Sequence, residues 1–353
     1  MIDFRYHLVS LISVFLALAV GIVLGAGPLR ENLGDQLAGQ VEQLRSEQDE
    51  LRTQADELAT RNDQLASFVT ELGPDLVADT LDGRRVAVLT DDSSTRPGIE
   101  RILTLLEDAG VSSAVRIDLQ AALWEPGQEQ KRADAVEQLR GIAPSLLGGE
   151  LSDSEQLSRV IVALLTPSES GELTPELRTQ VWDVLTAQQL VAIDGDLPAE
   201  ADGVVFASAA PEALEEDSEE GAVATERAQS LLASQTALLT ALSEAEVPAV
   251  VSATTPHNDA ATGILRTVRG DHGFDGLSTT DRLQEADGPL LSVLALIEQN
   301  RGGSGAYGTT ADAEDRLPAL PETQDLEDAA AGGDQDSGAA DGQAEPSDGG
   351  GAE

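Results

Sequence analysis

Cysteine is absent from the chain, which excludes a disulfide framework, a thiolate metal site and a cysteine nucleophile. Methionine occurs once, at Met1, and histidine only at His7, His257 and His272. The sulfur-rich constellations that hold soft metal ions are therefore missing, and no two histidines have the spacing of ligands on one helix or hairpin. Aromatic residues make up 3% of the sequence, too few for the girdles of an outer-membrane β-barrel. Lysine appears once, at Lys131, and 64 acidic residues face 21 basic ones for a net charge of -43. Such a surface repels nucleic acid and anionic lipid headgroups. The acidity is general, because removing the ten carboxylates of the cation-free stretch Ala319 to Glu353 leaves -33.

What is present begins with an apolar run. Leu8 to Gly27 carries no charge and has hydroxyls only at Ser10 and Ser13; at about 1.5 Å per helical residue it spans a hydrocarbon core of about 30 Å. A cleaved leader is the rival reading, since Arg5 precedes the run and small residues follow it. Pro28, directly after Gly25, Ala26 and Gly27, and the length of the run both oppose cleavage. Residues 1–28 are therefore expected to be a signal anchor contacting the lipid bilayer, with the N-terminus cytoplasmic and the bulk of the chain outside the cytoplasm. Gly21 and Gly25 form a small-xxx-small pair for helix packing in the membrane.

A heptad follows. Leu37, Leu44, Leu51, Leu58, Leu65 and Leu72 recur every seven residues, which sets them as d positions of a coiled coil across residues 29–73. The a positions include Val41, Ala55, Asn62 and Val69. Asn62 is best satisfied by Asn62 of a second copy, and Glu47 reaches Arg52 of a parallel partner, so the pattern predicts a parallel homodimer. The alternative is a single amphipathic helix packed on its own domain. Gly73 and Pro74 are expected to end the helix.

Residues 81–300 alternate short apolar runs with helical spacing. Arg85 to Thr90, Val111 to Leu119, Leu190 to Asp194, Gly203 to Ala207 and Ala249 to Ala253 read as strands. Gly98 to Ala109, Gln128 to Arg140, Leu151 to Leu165, Pro175 to Gln189 and Gly221 to Glu244 read as helices. This order predicts an α/β fold: a Rossmann-like three-layer domain with a mainly parallel sheet. Pro211 to Glu220 is acidic and expected to be an exposed connection. Residues 301–320 are glycine-rich, and 321–353 form an acidic tail that cannot bury enough apolar surface to fold.

In parallel α/β sheets ligands sit beyond the carboxyl ends of strands, where Asp91 and Asp92 follow the first strand, with Ser93 and Ser94 behind them. They are the pocket candidates; the plainer reading is a turn and helix cap. No dinucleotide fingerprint, phosphate loop or Gly-x-Ser-x-Gly elbow occurs. No cofactor, catalytic residue or metal-ligand set is expected, and the chain reads as a non-enzyme. His272 beside Asp271 and Asp275 reads as an exposed loop rather than an ion site.

The opening Met1 to Gly27, with Phe4, Arg5, His7 and Leu8 leading into Ser13 to Gly25, resembles the actinobacterial copper transporter family, also called the mycobacterial copper transport protein B family. Ser278, Thr279, Thr280 and Asp281 are similar to its Ser-Thr-Val-Asp segment. Gly288, Leu294, Ala295 and Leu296, then Gly302, Gly303, Ser304, Gly305, Tyr307 and Gly308, fit its closing stretch. The sequence departs at Thr280, where valine is usual, and at Arg282, where asparagine is expected. The resemblance covers about residues 1 to 320. It implies a cell-envelope protein with a role in copper efflux or homeostasis, copper as a possible partner, and outer-membrane placement in some members. The alternative it implies is a coiled-coil scaffold or regulator, with a protein partner in an envelope complex that controls cell separation through peptidoglycan hydrolases.

Overall fold

The computed structural model describes residues 4–167, 173–208, 219–245, 247–255 and 263–321. The chain divides into two units, Met1–Phe68 and Val69–Glu353. In the first, helix α1 (Phe4–Val77) contains one stretch, Phe4–Leu24, long and apolar enough to cross a membrane, with mean hydropathy 2.6. Gly21 has open space around it. Along the same helix Leu44, Leu51, Leu58 and Leu65 are each 64–65% exposed in the single chain. The side chain of Leu37 and the surroundings of Gly25 lie outside the described residues. Within one chain Arg52 meets Asp49 at 3.4 Å on the open surface, a pairing worth little on its own.

The second unit takes over the end of α1. The expected stop at Gly73 and Pro74 is not observed, since the helix runs on to Val77. Proline lacks an N–H, which deprives the carbonyl four residues earlier of its donor; Arg101 Nη2 donates to that Thr70 oxygen at 2.9 Å. Gly73 is buried against Leu105, whose Cδ2 would lie 3.3 Å from an added Cβ. Val69, assigned by the heptad to the dimer seam, packs with Leu76 and Val77 against the core of the α/β unit. Tertiary burial thus captures the last a position, which the heptad assigned to the seam.

The sheet comprises β1 (Arg85–Thr90), β2 (Ser113–Leu119), β3 (Val191–Asp194), β4 (Gly203–Ser208), β5 (Ala249–Ala253), β6 (Ser278–Thr280) and β7 (Ala306–Tyr307). Its order is β3-β2-β1-β4-β5-β6-β7. All neighbouring pairs are parallel except β2 with β3. The helices are α2 (Arg96–Asp108), α3 (Glu129–Ile142), α4 (Asp153–Leu165), α5 (Pro175–Ala187), α6 (Glu219–Glu244), α7 (Ile264–Gly270) and α8 (Gly288–Gln299). The central strands read as unbroken apolar runs because both faces are covered. Ala87, Leu89, Val204, Phe206 and Val251 face the layer of α3 to α7, whereas Val86, Val88, Val205, Ala207 and Val250 face α2, α8 and the end of α1. Three layers result, as the alternation predicts.

β6 and β7 were not expected as strands. β7 brings part of the glycine-rich segment into the sheet, pairing Thr279 with Ala306 and Thr280 with Tyr307. Pro211 to Ser218, His257 and the stretch after Pro321 lie outside the described residues.

Candidate functional site

A cleft of about 290 Å³ opens at the carboxyl ends of β1 and β2. It adjoins the point where the chain order reverses, with β2 on one side of β1 and β4 on the other, the usual address of a ligand in this fold class. Asp91 and Asp92 both line it, but they behave differently. Asp92 accepts the Ser94 N–H at 2.7 Å and caps the short 3₁₀ turn Ser93–Thr95, the work of a turn residue. Asp91 turns inward: its Oδ2 accepts from Gln235 Nε2 of α6 at 2.5 Å and from Ser208 Oγ at the end of β4 at 3.1 Å. Gln235 Nε2 also donates to Ser208 Oγ at 3.0 Å, so three elements meet on one carboxyl group.

Burial pushes the Asp91 pKa up to about 7, with the Asp92 charge adding to the rise and the Gln235 and Ser208 hydrogen bonds opposing it. Both donors engage Oδ2, so on the neutral acid the proton belongs on Oδ1. Gln235 is 3% exposed, and its Oε1 is buried without a partner among the described residues. Neither Ser208 nor Gln235 was marked by the sequence. Gln235 is a lone amide in the apolar run Leu231 to Leu242, and that polarity inside a buried helix face was the available signal.

The cleft's other wall carries Arg116 of β2, 2.9 Å from Asp194 and 3.1 Å from Asp118. Its buried Nε is not aligned for a hydrogen bond. Arg96, at the start of α2, lines the cleft too; its backbone N–H donates to the Ser93 carbonyl, and its guanidinium makes no hydrogen bond or ion pair among the described residues. Ile99, Leu119 and Trp124 supply the apolar surface.

The residues that carried the family resemblance gather at the opposite side of the sheet. Asp281 is fully buried; Thr309 and Thr310 N–H groups donate to it at 2.9–3.0 Å, and Thr310 Oγ1 at 2.6 Å. Burial alone would raise its pKa, but these bonds and Arg269 hold the carboxyl below the usual range. Arg269, 3% exposed, sits 3.3 Å from Asp281 and also donates to Thr279 Oγ1 and the Tyr307 carbonyl, each at 2.8 Å. A Cβ on Gly308 would lie 2.1 Å from Asp281 Oδ1, so only glycine fits. This cluster fastens residues 306–310 to the sheet.

Both departures from the family pattern have local partners. Thr280 Oγ1 lies 3.1 Å from Ser252 Oγ and 3.2 Å from Ser292 Oγ in the core, so the hydroxyl where valine is usual is hydrogen-bonded. Arg282 Nε donates to Asp287 at 2.9 Å.

His272 is almost fully exposed, with Nδ1 3.2 Å from Asp275. Among the described residues no three His, Cys, Asp or Glu side chains converge as a metal site.

Residues 1–318 match the family described as copper transport outer membrane protein, MctB. The copper transporter MctB of Mycobacterium tuberculosis strain H37Rv is 28% identical over 317 residues, covering 88% of this chain and 96% of the relative. That of Mycobacterium leprae strain TN is 38% identical over 173 residues, 49% of this chain and 51% of the relative. With the match running from the apolar N-terminus through the last strand of the sheet, the chain belongs to the MctB copper transport family.

Proposed function

We propose that the protein serves copper efflux or homeostasis at the cell envelope as a tethered accessory, with its α/β domain outside the cytoplasm, rather than as the conduit. The observation that carries this reading is the family match over residues 1–318, joined to a single described span, Phe4–Leu24. One helix encloses no pore, and along Leu8 to Gly27 its polar side chains are limited to Ser10 and Ser13. The donor chemistry does not favour the chain itself as a copper(I) chelator, since it has no cysteine and one methionine and copper(I) prefers sulfur ligands. Copper would be handled by a partner that the acidic domain engages. Deleting the gene and measuring growth in copper tests this: sensitivity restored by the full-length chain supports it, and unchanged growth refutes it.

A second reading has its own support in the exposed leucines of α1. Four d-position leucines about two-thirds exposed are an unpaired apolar seam, and a second copy tethered in the same bilayer satisfies it in parallel register with Asn62 facing Asn62. A homodimer of this kind suits a scaffold for an envelope complex that governs cell separation. Normal separation of cells lacking the gene would refute the scaffold role. Cysteine placed at Leu51 tests the pairing directly: it is expected to cross-link two chains under oxidising conditions, and its failure to do so refutes the dimer.

A further inference from the structure

We propose that the paired α1 helices leave their heptad after Leu65 and close instead on Phe68 and Leu72, with Phe68 of each chain facing Phe68 of a second copy. This deepens the homodimer reading and rests on it. Phe68 falls at a g position, which a regular seam leaves at its rim, and it is 61% exposed. Outside the membrane stretch every other aromatic side chain, Trp124, Trp182, Phe206, Phe274 and Tyr307, is buried. Aromatic rings bury the most apolar area per residue and dominate interfaces. This ring therefore offers a second copy the largest apolar contact on the helix beyond the membrane stretch.

The side of α1 that a regular heptad would use is already occupied. Val69 and Leu76, both at a positions, pack on the α/β core, and Gly73, at e, lies against Leu105. At about 100° per residue, Val69 stands about 40° to one side of Leu65, whereas Leu72 and Phe68 stand about 20° and about 60° to the other. Leu72 keeps 38% of its surface open. The free apolar stripe thus runs through Leu51, Leu58, Leu65, Phe68 and Leu72. Its core steps change from an alternation of three and four to two successive threes, Asn62 to Leu65 to Phe68. Such a three-residue insertion overwinds a coiled coil locally without ending it. The occupant is a second copy because core layers of a parallel pair set identical residues face to face. Glu47 meets the copy's Arg52 across the same seam, and a Phe4–Leu24 span in one bilayer starts both helices in register.

The test places single cysteines in the full-length, naturally cysteine-free chain and oxidises it in detergent micelles. Leu51→Cys and Phe68→Cys are expected to give disulfide-linked dimers, and Val69→Cys none, because position 69 faces its own α/β unit. A regular heptad gives the opposite result at the two neighbouring positions, since only Cβ atoms about 4 Å apart are bridged. Linkage at 51 without linkage at 68 would overturn the proposal and leave the dimer standing. Linkage at 69 would overturn it too, and failure at both 51 and 68 would remove the dimer as well. Phe68→Ser keeps the d leucines and is expected to weaken self-association roughly ten-fold or more, read by sedimentation over a dilution series at fixed detergent. Dissociation unchanged by that substitution would also overturn the proposal.

Discussion

Asp91→Asn removes one ionisable proton from the end of β1 and changes little else. The asparagine oxygen can accept from Gln235 and Ser208 as Oδ2 does now, and its amide takes the place of Oδ1. In the wild-type fold Asp91 holds its proton up to about pH 7, whereas an unfolded aspartate releases it near pH 4. The folded state therefore binds more protons through that interval, and stability falls as pH rises from about 4 to about 7, then levels off. A shift from 3.8 to about 7 corresponds to at most on the order of 4 kcal/mol. The realised penalty is smaller, because part of Asp91 is open to the cleft. The asparagine variant escapes it: near pH 4 the two proteins should be nearly equal, and by pH 8 the variant should be more stable by about 2–4 kcal/mol. Urea unfolding of the full-length chain followed by tryptophan fluorescence measures this. Both tryptophans, Trp124 and Trp182, are buried in the α/β unit, so the signal reports that unit and not the N-terminal span. A stability difference that stayed constant between pH 5 and pH 8 would refute the assignment of a neutral, buried Asp91.

Replacing Asp281 by alanine leaves the buried Arg269 only the partly exposed Asp312, 3.1 Å away, as a carboxylate partner and deprives the Thr309 and Thr310 N–H groups of their acceptor, so it should destabilise the α/β unit by about 2–4 kcal/mol in the same urea assay. Gly288→Ala puts a Cβ 1.7 Å from the Arg282 carbonyl oxygen, a backbone collision that no side-chain movement relieves, so loss of the cooperative unfolding transition is expected. Arg101→Ala leaves the Thr70 carbonyl with no side-chain donor and should lower stability by about 1 kcal/mol, without affecting cross-linking at position 51.

The legible parts of the fold were those with local, periodic signals. β1 and β5 lie where their apolar runs place them, since a strand covered on both faces needs apolar residues at every position. The heptad is equally local, yet its register says nothing about where a second apolar surface competes for the same side chain, and Val69 is taken by the α/β core. β6 and β7 escaped because two or three residues of Ser, Thr, Ala and Tyr carry no period; their pairing is a backbone ladder between segments some 27 residues apart. Asp91 was found by position alone, as the residue after the first strand. What sets it apart from Asp92 comes from Ser208 and Gln235, which are 117 and 144 residues away, and no spacing rule spans such a distance. The antiparallel β3 was visible as a strand but not in direction, which is fixed only by its ladder with β2.

The clip between Asp281 and residues 309–310 bears on the order in which the chain is completed. A ribosome delivers β1 to β5 and their covering helices well before Thr310 emerges, yet until then Asp281 lacks the Thr309 and Thr310 donors, Arg269 lacks the Tyr307 carbonyl, and the outer edge of β6 lacks β7. An α/β unit growing from its N-terminus is thus incomplete for nearly its whole synthesis, and its last parallel edge stays open to wrong pairing. Closure waits for the final ten or so residues of the 1–318 family region. A chain broken off near Asn300 would keep most of the core and still expose an unfinished sheet, which makes residues 306–310 a built-in mark that the sheet has been completed.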